Sequence, residues 1–420
     1  MVNWEGIRRE PFRLLFPLAI LFGLSGVGQW LAYALGGRDA FGFTHAWIQM
    51  SLHLSSFIAG FLLTALPRFA TSFPASTAEL AAVLSSLAGQ WLFASRRMWG
   101  AAGACFIGFC LLLALFAGRR FASRRAPEVQ PPVEFVWIPL ALLHGVAGAG
   151  LVLLGTSVPA LSWLFSTGRP MAGQGFVLGM VIGVAGFMAP RLMGHAVSTF
   201  GSPSLKGRTQ ARGWSRLHRV LLHGIAGFFF FVSFWIEGAG AVRAAYLLRA
   251  MVVTAEFIGT TRCHRLPRTE AQYIRLLWIS LWMIQFGLWG AGLFPRYRVG
   301  MLHLMFLGGF SLMTFALGTM VVFSHAGQRE WLQRPLRTLR LISACLALSV
   351  VARLAADVVP RWFFPLLGLA SASWILSALS WLILVLPHVV RTVPAEAFER
   401  MHEEAKQTLL RRHRQDFRQR

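Results

Sequence analysis

Acidic residues are scarce in this chain. Only 16 Asp+Glu stand against 40 Lys+Arg in 420 residues, and charged residues of both signs make up 13% of the whole. A soluble domain carries roughly a quarter charged residues, so the deficit excludes an ordinary water-soluble surface. Cysteine is also rare. The four residues Cys105, Cys110, Cys263 and Cys345 form no Cys-x-x-Cys pair, which excludes a disulfide framework, a zinc knuckle and a Cys-x-x-Cys-His haem attachment. No P-loop-type glycine-rich nucleotide motif and no soluble catalytic domain is found.

What is present in excess is apolar side chain. The chain is 56% hydrophobic with a mean hydropathy of +0.58, more than a soluble core of this length can enclose. Runs of about twenty apolar residues, enough to cross roughly 30 Å of hydrocarbon, fall at 12–35, 43–66, 77–95, 98–117, 133–157, 172–195, 214–236, 239–259, 272–294, 299–323, 336–357 and 362–388. The expectation is an all-α polytopic transmembrane bundle of about twelve spans over residues 1–390, followed by a basic tail, 391–420.

The net charge of +24 follows the loops rather than a nucleic-acid face. Alternate loops carry Arg8, Arg9, Arg13, Arg68, Arg119, Arg120, Arg191, Lys206, Arg262, Arg265, Arg334 and the tail. The opposite loops hold mainly Arg38, Arg96, Arg97, Arg169, Arg243, Arg296, Arg298 and Arg361. Because basic residues stay on the cytoplasmic side, both termini are expected there, with the tail lying near anionic lipid headgroups and no nucleic-acid partner. No repeat is evident between the two halves of the chain.

Titratable residues inside a span cost a few kcal/mol on insertion scales and need a partner, a cavity or a role. His45, His53, His144, His223 and His303 lie within spans; His195, His218 and His325 sit at their cytoplasmic ends. Neutral imidazole suits haem iron, copper or zinc because it brings a lone pair without burying charge. His45, His53 and His303 form an outer layer. His195, His223 and His325 form an inner one, and His144 with His223 lies near mid-depth. His303 and His325 are about 33 Å apart by helical rise and cannot share one metal.

Arg353 and Asp357, four residues apart, share a helix face and suit a local ion pair. Arg249 and Glu256 are seven apart, so each requires a partner on another helix, and a cofactor carboxylate is one candidate for Arg249. Trp137, Trp163, Trp289, Trp362 and Trp381 fit interfacial belts or lipid-facing packing. Gly145, Gly148, Gly179 and Gly183 fit close helix approach.

Two segments carry a family resemblance. His45-Ala-Trp47 runs into Gly60-Phe-Leu-Leu-Thr-Ala-Leu-Pro67-Arg-Phe69, and Leu302-His303-Leu304 runs through Gly308 and Met313 to Ser324-His325-Ala-Gly-Gln328. With Pro11-Phe12-Arg13 ahead of the first span, these resemble the NnrS family of bacterial membrane proteins over nearly the whole chain. The resemblance implies a haem- and copper-containing inner-membrane protein that lessens nitric oxide toxicity in denitrification or nitrosative stress. His45, His303 and His325 match family histidines. Trp47 stands where the second histidine of a His-x-His pair falls, and Met320 stands where an arginine is usual. Nitric oxide or another diatomic gas and a respiratory electron donor are the partners this suggests. A secondary transporter, or a factor delivering metal or haem to a respiratory complex, remains as an alternative, and no reaction is assigned.

Overall fold

The computed structural model describes residues 4–37, 42–124, 130–195 and 215–391. The basic segment expected at 391–420 lies outside these residues except for Arg391. Among them there is no strand, and the chain folds as consecutive antiparallel helices. They are α1 (Phe12–Ala34), α2 (Gly42–Phe69), α3 (Thr77–Ser95), α4 (Trp99–Ala122), α5 (Val133–Ser157) and α6 (Leu164–Leu192), followed by α7 (Arg216–Gly238) and α8 (Val242–Glu256, continued by Phe257–Thr261). The last four are α9 (Gln272–Leu293), α10 (Pro295–His325), α11 (Arg337–Val358) and α12 (Pro360–Val389).

Ten of these are long and apolar enough to cross a membrane; α3 and α8 fall outside that group. The sequence of α3 includes Glu79 and Gln90, and that of α8 includes Arg243, Arg249 and Glu256, which dilute their apolar content. Both nevertheless stand as helices where the sequence predicts spans. Ser76 opens α3 with a reciprocal capping box: its hydroxyl accepts from the Glu79 amide at 3.1 Å, and the Glu79 carboxylate accepts from the Ser76 amide at 2.9 Å. Gly327, at φ +73°, closes α10 in the left-handed conformation that glycine adopts without a Cβ penalty.

The packing divides the chain into thirds. Helices α1–α4, α5–α8 and α9–α12 form three four-helix units, each made of two hairpins. The last helix of each unit packs on the first helix of the next: α4 on α5, α8 on α9, and α12 back on α1, closing a ring. The second helices, α2, α6 and α10, are the three most buried spans and form the centre.

Each unit repeats one local device. The first helices carry Phe22-Gly23 and Gly26, His144-Gly145 and Gly148, and Phe286-Gly287 and Gly290. These glycine pairs let the second helix approach so closely that an added Cβ on Gly26 would meet Gln49, one on Gly148 would meet Ala172, and one on Gly290 would meet Met301. One turn along, Gly23 faces His53, Gly145 faces Phe176 and Gly287 faces Met305. Beside these contacts each central helix widens into a π-helical stretch, at Ile48–Leu54, Met171–Gly175 and Leu304–Ser311. Such wide turns are uncommon and often mark functional positions. Fourteen residues beyond His53 and Phe176 come Pro67-Arg68 and Pro190-Arg191; the corresponding pair in the third unit is Thr319-Met320.

Two tryptophans expected at the periphery are core residues instead. Trp137 and Trp381 are fully buried, whereas Trp163 and Trp362 are about half exposed. Trp381 sits between α12 and α10 within the third unit, where its indole donates to the Phe315 carbonyl and the Thr319 hydroxyl, both at 3.0 Å. A buried indole needs such an acceptor, and the residue type alone does not reveal that one is supplied.

Candidate functional site

Phe12 and Val389 lie at one end of the bundle, joined through Arg13; this is called the near end and the opposite one the far end. His45 stands three residues before the wide turn of α2, toward the far end, and His303 immediately precedes the wide turn of α10. His45 Nδ1–H donates to the Gly26 carbonyl on α1 at 3.0 Å, and His303 Nδ1–H donates to the Val299 carbonyl at 2.7 Å. Each ring is thereby fixed as the neutral tautomer with its Nε2 lone pair free, which is how metal-ligating imidazoles are oriented. Protein surrounds both rings, and the two are close enough to act on each other electrostatically. Neither is sealed, since both keep solvent-accessible surface. They therefore mark one region between α2 and α10, to which belong Gln49, whose amide donates to the Gly23 carbonyl at 2.8 Å, and Trp30 against His45.

Arg353 and Asp357 flank the same place from α11. The spacing predicts their ion pair, and it is present at 2.6 Å. The other Asp357 oxygen accepts from the Gly300 amide at 2.9 Å, one turn before His303, which ties α11 to the start of α10.

His53 and His144 repeat the tautomer but not the openness. His53 Nδ1–H donates to the Ala19 carbonyl at 2.8 Å and His144 Nδ1–H to the Leu140 carbonyl at 2.7 Å. Their Nε2 atoms are buried and have no hydrogen-bond partner. His53 lies against Phe57 and Trp374; His144 lies among Phe230, Phe231 and Phe234. An unpaired acceptor sealed from water calls for a reason beyond packing.

The remaining predicted residues have their partners elsewhere. Arg249 and Glu256 do find partners on other helices. The three Arg249 nitrogens donate to Ser233 at 3.2 Å, Gln174 at 3.0 Å and Glu237 at 2.9 Å, while Glu256 pairs with His223 at 2.8 Å. Tyr246 completes the Arg249 network by donating to Glu237 at 3.1 Å.

His325 holds the near end. Its Nδ1–H donates to Glu10 at 2.7 Å, and Arg68 donates to its Nε2 at 2.9 Å. Glu10 also accepts from Arg68 at 3.0 Å and from Arg13 at 2.7 Å, and Arg13 reaches the Val389 and Arg391 carbonyls at 2.6 Å each. Burial works to raise the Glu10 carboxyl, but the His325 hydrogen bond and the charges of Arg13 and Arg68 outweigh it and hold it down at about 2. His195 lies just past α6, where burial, then Arg268, keep it below the ordinary histidine value. Thus His195, His223 and His325 do not converge, and no group of three His, Cys, Asp or Glu suited to a metal ion occurs among the described residues. Sequence reasoning missed Gln49, Glu10 and the tie from Asp357 to Gly300. Only Glu10 left a signal, as an acidic residue beside the Pro-Phe-Arg opening.

The donor set fits haem better than a three-ligand copper or zinc site, because haem iron is held by one or two imidazoles and His45 and His303 offer two Nε2 atoms without a hydrogen-bond partner among the described residues. No curated protein matches this chain. Residues 6–392 match the family model described as NnrS protein, and with nearly its whole length covered the chain belongs to the NnrS family.

Proposed function

We propose that this chain is a haem-binding membrane protein whose region between α2 and α10 takes the haem on His45 and His303, and that it handles nitric oxide or a similar diatomic gas in the bacterial inner membrane, with both termini cytoplasmic. The observation that carries the reading is the pair of neutral imidazoles with free Nε2 atoms on two different central helices. Haem would supply an iron centre able to bind a diatomic gas or pass an electron. The chain's own residues would orient the two imidazole rings through the Gly26 and Val299 carbonyls, and the surrounding helices would tune the potential by their polarity and hydrogen bonds. A copper ion belongs to the same reading as an expectation of family membership.

The transporter alternative is less favoured. Many transporter folds pair two internal repeats about a two-fold axis, whereas this ring is built from thirds. An absorption spectrum with metal analysis of the detergent-purified protein tests the reading. A Soret band is expected that shifts on addition of nitric oxide and is lost in both His45→Ala and His303→Ala. A colourless, metal-free wild-type protein would overturn the haem reading and revive the transporter.

A further inference from the structure

Beside His45 and His303 lies a cation that is only partly engaged. Arg353 lies close enough to both His45 and His303 to act on each electrostatically, and its side chain is 8% exposed. It commits Nη1 to Asp357 at 2.6 Å, while its Nε and Nη2 have no hydrogen-bond partner among the described residues. Asp357 in turn divides its charge between Arg353 and the Gly300 amide. Arg249 is the contrasting case, with all three nitrogens donating inside the protein and Glu237 as its counter-ion. A guanidinium in a low-dielectric region with free N–H groups suits an incoming anion, and a planar fork of donors suits a carboxylate.

We propose that Arg353 anchors the carboxylate groups of the ligand held by His45 and His303, and that Asp357 acts as a positioning residue by fixing Arg353 to the first turn of α10. The inference rests on the haem reading above and adds that the ligand's propionates, not only its iron, are recognised. Arg353 then reads the acid and His303 the metal, a few residues from a shared hydrogen bond, so the orientation of the ligand is set by a single turn of helix.

The test compares haemin with haemin dimethyl ester, in which both carboxylates are uncharged, by spectroscopic titration of the full-length detergent-purified protein produced without haem. A charge-assisted contact of this kind corresponds to about 10–100-fold in affinity, so wild type should bind haemin that much more tightly than the ester. Arg353→Gln should bring the two affinities together by weakening haemin while leaving the ester unchanged, with the Soret position retained because both imidazoles remain. Asp357→Asn should narrow the ratio part of the way, and Arg249→Gln should leave it at the wild-type value. Should Arg353→Gln fail to fold, Arg353→Lys, which keeps the charge, and the wild-type ratio itself still decide the matter. Equal wild-type affinity for acid and ester, or a ratio unchanged in Arg353→Gln, overturns the anchor while leaving haem binding intact. Binding of neither form by wild type overturns the haem reading instead.

Discussion

Glu237→Gln should strongly destabilise the second four-helix unit. Arg249 is fully buried, with the faces of Phe234 and Tyr246 at 3.8 and 4.6 Å from its guanidinium carbon. Glu237 is its one anionic partner among the described residues. Amidation keeps the shape but leaves the cation uncompensated in an apolar interior, a loss of about 3–5 kcal/mol. The reverse change is milder. In Arg249→Met the carboxylate of Glu237 keeps Tyr246 at 3.1 Å and Arg298 at 3.8 Å, so about 1–3 kcal/mol is expected. The double variant should be no less stable than Arg249→Met alone, because the buried charge is gone. With an unfolding entropy of about 2.1 cal/mol/K per residue, near 0.9 kcal/mol/K for the whole chain if it unfolds as a unit, Glu237→Gln should lower the melting temperature by about 3–6 °C. Fluorescence-detected size exclusion after heating reads this directly. The reasoning is refuted if Glu237→Gln melts with wild type, or if the two single losses simply add in the double variant.

The near-end cluster should give an acid limb to stability. Glu10 is held at about 2 against an ordinary 4.5, so its contribution, on the order of 3 kcal/mol, is complete above about pH 5 and is lost as pH falls toward 2; Glu10→Gln should flatten the melting temperature across pH 5 to 3, and an unchanged acid slope would remove this account. Gly148→Leu should abolish assembly, since even a Cβ there would lie 2.2 Å from the Ala172 backbone nitrogen and backbone cannot swing aside as a side chain can; a monodisperse Gly148→Leu peak of wild-type stability on size exclusion would contradict the close approach. His53→Phe, which installs the ring that the second unit carries as Phe176, should fold and keep the Soret band that His45→Ala and His303→Ala lose, and loss of that band would move an axial ligand to His53.

Much of the architecture was legible because a bilayer imposes it. Apolar runs place helices near their observed limits, as with 12–35 against Phe12–Ala34 and 272–294 against Gln272–Leu293. Residue spacing also carried the short-range pair Arg353–Asp357 and the need of Arg249 and Glu256 for partners elsewhere. Which partners those are depends on helix neighbours distant in sequence, Glu237 and His223 among them, and one sequence does not encode that at any fixed spacing. The histidines illustrate the same limit. Depth sorted them into layers, but only the positions of the Gly26 and Val299 carbonyls decide that Nε2 is the free nitrogen on His45 and His303, and only Glu10 and Arg68 decide that both nitrogens of His325 are taken. A repeat in thirds leaves no likeness between the two halves of the chain. Its shared signature, an aromatic or histidine followed by Gly-x-x-Gly on α1, α5 and α9, is short, and its counterpart on α2, α6 and α10 conserves closeness rather than residue type.

That last point bears on how a polar site can exist at the centre of such a bundle. The position facing the first glycine is His53 in one unit, Phe176 in the next and Met305 in the third, and the residue before that glycine is Phe22, His144 or Phe286. At each place two apolar residues fill the same role as one histidine, so the frame itself can be packed without the imidazole. The wide turns supply the other requirement. An i→i+5 stretch shifts the side chains that follow around the helix, so His45 and His303, placed just before such stretches on α2 and α10, can face one region while the remainder of each helix keeps its contacts with the ring. The asymmetry of the site is thus confined to a few substitutions on a three-part frame, and the anchor at Arg353 belongs to the same set: on α11 of the third unit, it lies within electrostatic reach of His45 on α2 of the first.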